Sequence, residues 1–243
     1  MHINILTIFP EIFDALNYGV IGKAKTNKSF SIKIQDIRDY PVNKHGQIDS
    51  KPYGGGEGMV MMAEPLKRSL ESIPKEKLGK IIYLSPQGAL FDNTKAKKLS
   101  KEPSATFICG RYEGIDQRFI DKYVDEEISI GDFIISGGEI AALCIIDSII
   151  RHIPGVLGNK DSSKNDSFSN GLLKGPQYSR PEVFEEISVP DILLSGDHKK
   201  IKEWKDLKSI EATIIRRPDL LNNVKLTKKQ RKLLEDLASQ SIL

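Results

Sequence analysis

Apolar residues fall into two patterns along this chain, short β-branched runs and longer stretches spaced by three and four. HINILTIF (2–9) and SFSIKIQDI (29–37) are strand-like, and between them Ile12, Phe13 and Leu16 keep helical spacing, so the chain opens as a βαβ unit. KIIYL (80–84) and ATFIC (105–109) are continuous apolar runs, the signature of strands covered on both faces, and the intervening NTKAKKLSKE reads as helix. EEISIGDFIIS (126–136) predicts a further strand. From Glu139 to Ile153 the positions Ile140, Leu143, Ile146, Ile149, Ile150 and Ile153 recur at helical spacing and predict a long, largely buried helix. Strands alternating with helices predict an α/β fold with a mostly parallel sheet.

The pattern fades after Pro154. GVLGNKDSSKNDSFSNGLLKGP is rich in Gly, Ser, Asn and Asp with almost no apolar period, and residues 159–172 read as a flexible linker. Beyond it Asp197 is placed to cap one helix and Thr227 to cap a terminal amphipathic one, so 173–243 reads as a small helical domain and 1–158 as the main α/β domain.

Hydrophobic content of 39% and charged content of 28% predict an ordinary packed core. No apolar run approaches the roughly 18 residues of a membrane-spanning helix, and MHINILTIFPEIF lacks the marks of a signal peptide, so a cytoplasmic protein without membrane contact is expected. Cys109 and Cys144 lie among apolar residues with no metal or redox spacing and read as buried thiols. Charge changes the picture more. Residues 197–243 hold twelve Lys or Arg against seven Asp or Glu, a balance of +5, so with a total of +3 the first 196 residues sum to −2. The basic end is a candidate phosphate-facing surface, although clustered lysines often only keep a helix soluble.

The chain contains no GxGxxG after a strand, no GxxxxGK[ST], no GxSxG and no HExxH, which argues against a dinucleotide dehydrogenase, a P-loop enzyme, an α/β hydrolase and a zincin. What it does contain is three glycine-bearing turns, each at the carboxyl end of a predicted strand, where open α/β sheets bind ligands. They are Ser85-Pro86-Gln87-Gly88, Gly110-Arg111-Tyr112-Glu113-Gly114, and the stretch from Ile130-Gly131-Asp132 to Gly137-Gly138-Glu139. Glycine lets main-chain donors and acceptors approach a ligand closely, so three converging turns predict a pocket.

The motifs PYGGGEGMVMM (52–62), YLSPQG (83–88), CGRYEGID (109–116), SIGDFIISGGE (129–139), IPGVLG (153–158), DSFSNGLL (166–173), YSRPEVF (178–184) and RRPDLL (216–221) together resemble the bacterial tRNA (guanine-N1)-methyltransferases of the SPOUT superfamily, in the same order and over nearly the whole chain. The resemblance implies a deep trefoil knot through residues 80–138, S-adenosylmethionine as methyl donor, possible use of Mg²⁺, and tRNA as substrate, with methylation at N1 of the guanosine at position 37, 3′ of the anticodon. It also implies a homodimer whose active site draws on both chains, the cofactor lying in one knot while the linker and C-terminal domain of the other chain meet the tRNA.

By position, the resemblance assigns the cofactor to Tyr83, Leu84, Ser85 and Pro86, to Gly110, Tyr112, Glu113 and Gly114, and to Ser129, Ile130, Gly131, Asp132, Phe133, Ile134 and Ile135 with Gly137 and Gly138. It makes Asp166 and Arg151 the catalytic pair and places Asp49, Tyr178 and Arg180 near tRNA. Departures fall at Glu57 and Ala141, where the family usually carries proline, and at KGPQYSRP (174–181). They bear on local tRNA contacts.

The chemistry agrees with such a pair. Guanine N1 carries a proton and is a poor nucleophile, so methylation needs a base for the proton and a cation for charge growing on O6. An arginine fork suits guanine O6, although an arginine ending a helix is ordinarily a partner of the helix dipole. Asp166 is promoted by the resemblance alone. His45, in a polar stretch, reads as a surface residue, and Glu113 as a candidate near the cofactor amino group or Mg²⁺ rather than as the base. Two alternatives stay open: a related methyltransferase acting on a ribose 2′-hydroxyl, and a catalytically silent RNA-binding module.

Overall fold

The first βαβ unit forms with a tighter connection than its periodicity predicts. In the computed structural model, which describes residues 1–157, 166–224, 226–227, 230–232 and 234, strand β1 (His2–Thr7) is followed by a 3-10 turn at Pro10–Asn17 and a separate helix α1 (Gly19–Thr26) before β2 (Ser31–Asp36). Proline at the first helical position starts the 3-10 turn, and its Phe13 and Leu16 are buried.

A two-stranded pair follows, β3 (Asp49–Ser50) against β4 (Val60–Met61), and then α2 (Ala63–Glu71) and α3 (Lys75–Leu78) lead into β5 (Lys80–Leu90). Helix α4 (Asn93–Leu99), capped by Asp92, precedes β6 (Ser104–Cys109), whose six residues are all buried. Helix α5 (Gln117–Tyr123), β7 (Glu126–Ser129) and α6 (Gly138–Ile150) complete this part of the chain.

The main sheet has the order β2-β1-β6-β5-β7, with all of its pairings parallel. Parallel strands put their carboxyl ends at one edge, so the segments after β1, β2, β6 and β7 emerge together. Strand β5 adds a device of its own. Leu84 and Ala89 both pair with Ile128, so Ser85–Gly88 leave the ladder as a four-residue excursion before the strand resumes. The excursion hugs β7, where a Cβ on Gly88 would lie 2.3 Å from the Ile128 nitrogen.

Two apolar clusters cover the sheet. One gathers Ile3, Ile5, Phe107 and Ile82 with the face of α6 that carries Ile145, Ile146, Ile149 and Ile150. The other gathers Leu6, Ile8 and Ile108 with Leu66, Leu70 and Phe119. Each such side chain removed from water contributes about 1.5–3 kcal/mol. Buried polar Asn4 is satisfied by donating to Thr106 Oγ1 and to the Lys77 carbonyl.

Several sequence expectations are corrected here. The strand expected over 126–136 ends at Ser129, because Phe133, Ile134 and Ile135 are exposed rather than paired in the sheet. Ile140 is half exposed and Cys144 exposed, since that face of α6 turns away from the sheet, whereas Cys109 is fully buried and burial pushes its thiol well up.

The chain divides into two compact units, Met1–Gly158 and Asn159–Leu243. In the second, a short antiparallel pair that the periodicity does not announce, β8 (Val183–Phe184) with β9 (Ile187–Ser188), precedes α7 (Asp191–Leu194) and α8 (His198–Arg216). Asp197 caps α8 by accepting from the N–H groups of Lys199 and Lys200. Of the segment read as a linker, 159–165 lies outside the described residues. Residues 166–172 are folded onto this unit: Leu172 is buried against Ile210 and Ile214, and Phe168 N–H donates to its carbonyl. Thr227 and Gln230 exchange side-chain bonds to each other's backbone N–H in a capping box, and most of the helix expected to follow lies outside the described residues.

Candidate functional site

The carboxyl edge of the sheet encloses a cavity of about 320 Å³ walled by the three glycine-bearing turns. That volume lies at the lower end of the range that holds small organic ligands. Sixteen of the seventeen residues expected at a cofactor line it, from Tyr83 through Gly138; the exposed Asp132 does not. Gln87, Arg111 and Ser136 also line it; they lie within the three turns but not among the positions assigned to the cofactor, and Ile128 and Ala141 lie outside the turns altogether.

Each turn is held by its own polar groups. Ser85 Oγ accepts from Gln87 N–H, and Ser129 Oγ both accepts from Gly131 N–H and donates to its carbonyl, so these hydroxyls shape loops before any ligand is considered. Tyr83 is 7% exposed and forms a wall behind Gly110. Burial first, and Glu127 second, push its hydroxyl up to about 12, so it stays a neutral donor. Tyr112 sits at φ 60°, a strained conformation for a residue with a side chain, two residues before Gly114 at φ 111°, which glycine adopts without strain. Burial, then a hydrogen bond shared with the Asp49 carboxylate, raise the Tyr112 hydroxyl, so Asp49, expected near tRNA, is joined to the cavity loop.

The glycines form a cradle that side chains would fill. A Cβ at Gly110 would fall 2.7 Å from the Tyr83 ring, and at Gly138 2.8 Å from Cys109 Cα, while at Gly131 it would meet the Phe133 ring at 2.6 Å. Gly138 N–H donates to the Gly110 carbonyl at 2.9 Å, which seats the first turn of α6 against the end of β6. The Gly-rich segment joins the same wall, because Glu113 N–H donates to the Met59 carbonyl and a Cβ at Gly58 would strike the Glu113 carboxylate.

Arg151 is the C-cap of α6, exposed, at the end opposite Gly138; thirteen helical residues at 1.5 Å each set it roughly 20 Å along the axis from the cavity-lining turn. Asp166, in the second unit, lies 3.6 Å from Lys174 Nζ. Tyr178, also there, is half exposed with its ring 6.3 Å from that of Trp204, and Arg180 is exposed. His45 is exposed in a turn, as an ordinary surface histidine. Among the described residues no group of three or more His, Cys, Asp or Glu is placed to hold a metal ion, and no helix is long and apolar enough to cross a membrane.

A parallel α/β sheet with a small-molecule cavity outside its carboxyl ends defines the class. The sequence pattern of the family described as tRNA (Guanine-1)-methyltransferase TrmD matches residues 1–223. The chain is 50% identical over 235 residues to a tRNA (guanine-N(1)-)-methyltransferase of Clostridium novyi (strain NT), covering 97% of each. It is 48% identical over 236 residues to the proteins of the same name from Clostridium botulinum (strain Loch Maree / Type A3) and Clostridium beijerinckii, covering 97% of this chain and 98% of theirs. The chain belongs to the tRNA (guanine-1)-methyltransferase family.

Proposed function

We propose that this chain is a cytoplasmic tRNA (guanine-N1)-methyltransferase that takes a methyl group from S-adenosylmethionine and places it on N1 of the guanosine at position 37. The observation that carries the reading is the convergence of the three turns on one cavity, in a chain of this family. The sheet order, with β7 returning on the far side of β5, is in keeping with a trefoil knot through residues 80–138.

S-adenosylmethionine bound in the cavity supplies an electrophilic methyl on a sulfonium and departs as a neutral thioether. The backbone of the turns orients that ligand, and the close glycines bring main-chain N–H and C=O groups within reach of its polar edges. Asp166 accepts the N1 proton as the N1–methyl bond forms and the sulfur–carbon bond breaks, and Arg151 donates to O6 as negative charge gathers there. Arg151 stands a helix length from its own cavity, which favours a homodimer in which each cavity is completed by Arg151 and Asp166 of a second chain. Unit 159–243, with the lysines of α8, Tyr178 and Arg180, holds the tRNA.

The test is incubation of an unmodified tRNA transcript with methyl-labelled S-adenosylmethionine, followed by nucleoside analysis. The account requires 1-methylguanosine. A 2′-O-methyl nucleoside would assign the chain to ribose methylation, and no product would make it a silent binding module.

A further inference from the structure

Behind the cavity lining, paired with the lining residue Arg111, lies a fully buried carboxylate that the reaction above does not use. Glu139, at the start of α6, is 0% exposed. Its Oε1 accepts from Thr7 Oγ1 at 2.8 Å, and its Oε2 pairs with Arg111 Nε at 2.8 Å. Thr7 ends β1, Arg111 belongs to the turn after β6, and Glu139 to the first turn of α6, which follows the loop after β7.

Arg111 carries the network further. Its Nη1 donates to the Ser136 carbonyl at 3.1 Å, and its guanidinium lies over the Phe9 ring at 4.5 Å, with Arg38 at 4.9 Å. The fit leaves no slack, since a Cβ at Gly137 would fall 2.3 Å from Arg111 Nε and 2.8 Å from Glu139 Oε2. A buried ion pair is expensive to desolvate, and replacing one with apolar residues often does not destabilise a protein, so stability alone gives a weak reason for this pair. What it does supply is fixed geometry: the planar Arg111 fork ties the turn after β6 to Ser136 and Glu139, while Glu139 separately holds Thr7 at the end of β1.

We infer that Arg111 and Glu139 are positioning residues, a clamp that holds the turns 110–114 and 134–138 in the arrangement that binds the methyl donor. The inference rests on the cavity being the S-adenosylmethionine site, and its test separates the two claims. Arg111→Lys keeps the charge that compensates Glu139 but has a single nitrogen, which cannot serve Glu139 and the Ser136 carbonyl in the fork's geometry.

Calorimetric titration with S-adenosylmethionine is expected to show at least a tenfold weaker Kd for Arg111→Lys, while its thermal midpoint stays within a few degrees of wild type. Without ligand, amide exchange is expected to quicken in peptides covering 110–114 and 134–138 and to stay unchanged in β1 and β2. Wild-type affinity within twofold, or exchange raised evenly over the unit, overturns the clamp. If the wild-type protein itself does not bind S-adenosylmethionine, the ligand assignment fails, and the exchange pattern still decides whether the clamp exists. Should Arg111→Lys not fold, the pair Arg111→Met with Glu139→Gln, which leaves no unpaired charge, serves the same comparison.

Discussion

Replacing Gly138 with alanine tests whether the cavity depends on α6 being seated against β6. The new Cβ would lie 2.8 Å from Cys109 Cα and 3.1 Å from the Gly110 nitrogen. Carbon atoms in contact prefer about 3.5–4.0 Å, so the helix has to retreat by roughly 0.7–1.2 Å, because the facing atoms are backbone with no rotamer to change. Overpacking of this kind costs about 1–3 kcal/mol. The retreat also stretches the Gly138 N–H bond to the Gly110 carbonyl, whose net contribution is about 1 kcal/mol.

For a domain of this size each kcal/mol lowers the midpoint by roughly 2–4 °C, so a loss of roughly 2–12 °C is expected by calorimetry. The same movement parts two cavity turns, and S-adenosylmethionine affinity should fall at least tenfold, about 1.4 kcal/mol. Gly19→Ala is the control. At φ 63° with nothing within 4 Å of its Cβ, it strains only its own backbone, by about 1–2 kcal/mol, and should leave affinity unchanged. A Gly138→Ala protein with wild-type midpoint and wild-type affinity would refute this reasoning.

Asp166→Asn keeps size and hydrogen bonding but removes basicity, so single-turnover methyl transfer should fall by roughly 10² to 10⁴ with donor affinity unchanged; a rate within about tenfold of wild type would remove Asp166 from the base role. Burial lowers His2 and His152 below their ordinary values, so below about pH 6.5 the unfolded chain binds protons that the folded chain resists. Stability present above that pH should decline as pH falls, seen as a lower urea midpoint at pH 5.5 than at 7.5, and an equal or higher midpoint would contradict it. The exposed Lys202 and Lys205 of α8 should each contribute about one unit to the salt slope of tRNA binding, so the double alanine variant should flatten that slope by about two, and an unchanged slope in filter binding would move the phosphate contacts elsewhere.

The sheet was legible because the first half of β5 and all of β6 are buried on both faces and read as continuous apolar runs. The cavity was legible because its walls are glycine turns at strand ends, and Asp197 was a readable cap because its side chain competes for the first N–H groups of α8. Other features left no periodic trace. Ile130–Ser136 is rich in strand-forming residues, yet Ile134 is 84% exposed and lines the cavity instead of pairing in the sheet. Arg111 and Glu139 are single charges of opposite sign in separate turns, and only the fold puts them in contact. Arg151 falls at the far end of α6 from the cavity, a distance that follows from helix length and from knowing where Gly138 sits.

In the proposed dimer the turn cavity of one chain works with Asp166 of the other, and heterodimer complementation tests that link most directly. Asp166→Ala and Gly131→Trp are each expected to be inactive, the second because Gly131 lines the cavity at φ 148°, a backbone conformation that a residue with a side chain adopts only with strain. Mixed to allow subunit exchange, half the dimers pair an intact cavity with an intact Asp166 at one of two symmetric sites, so about a quarter of wild-type 1-methylguanosine formation should return. Heterodimers isolated by two different tags that remain as inactive as either parent would contradict the account.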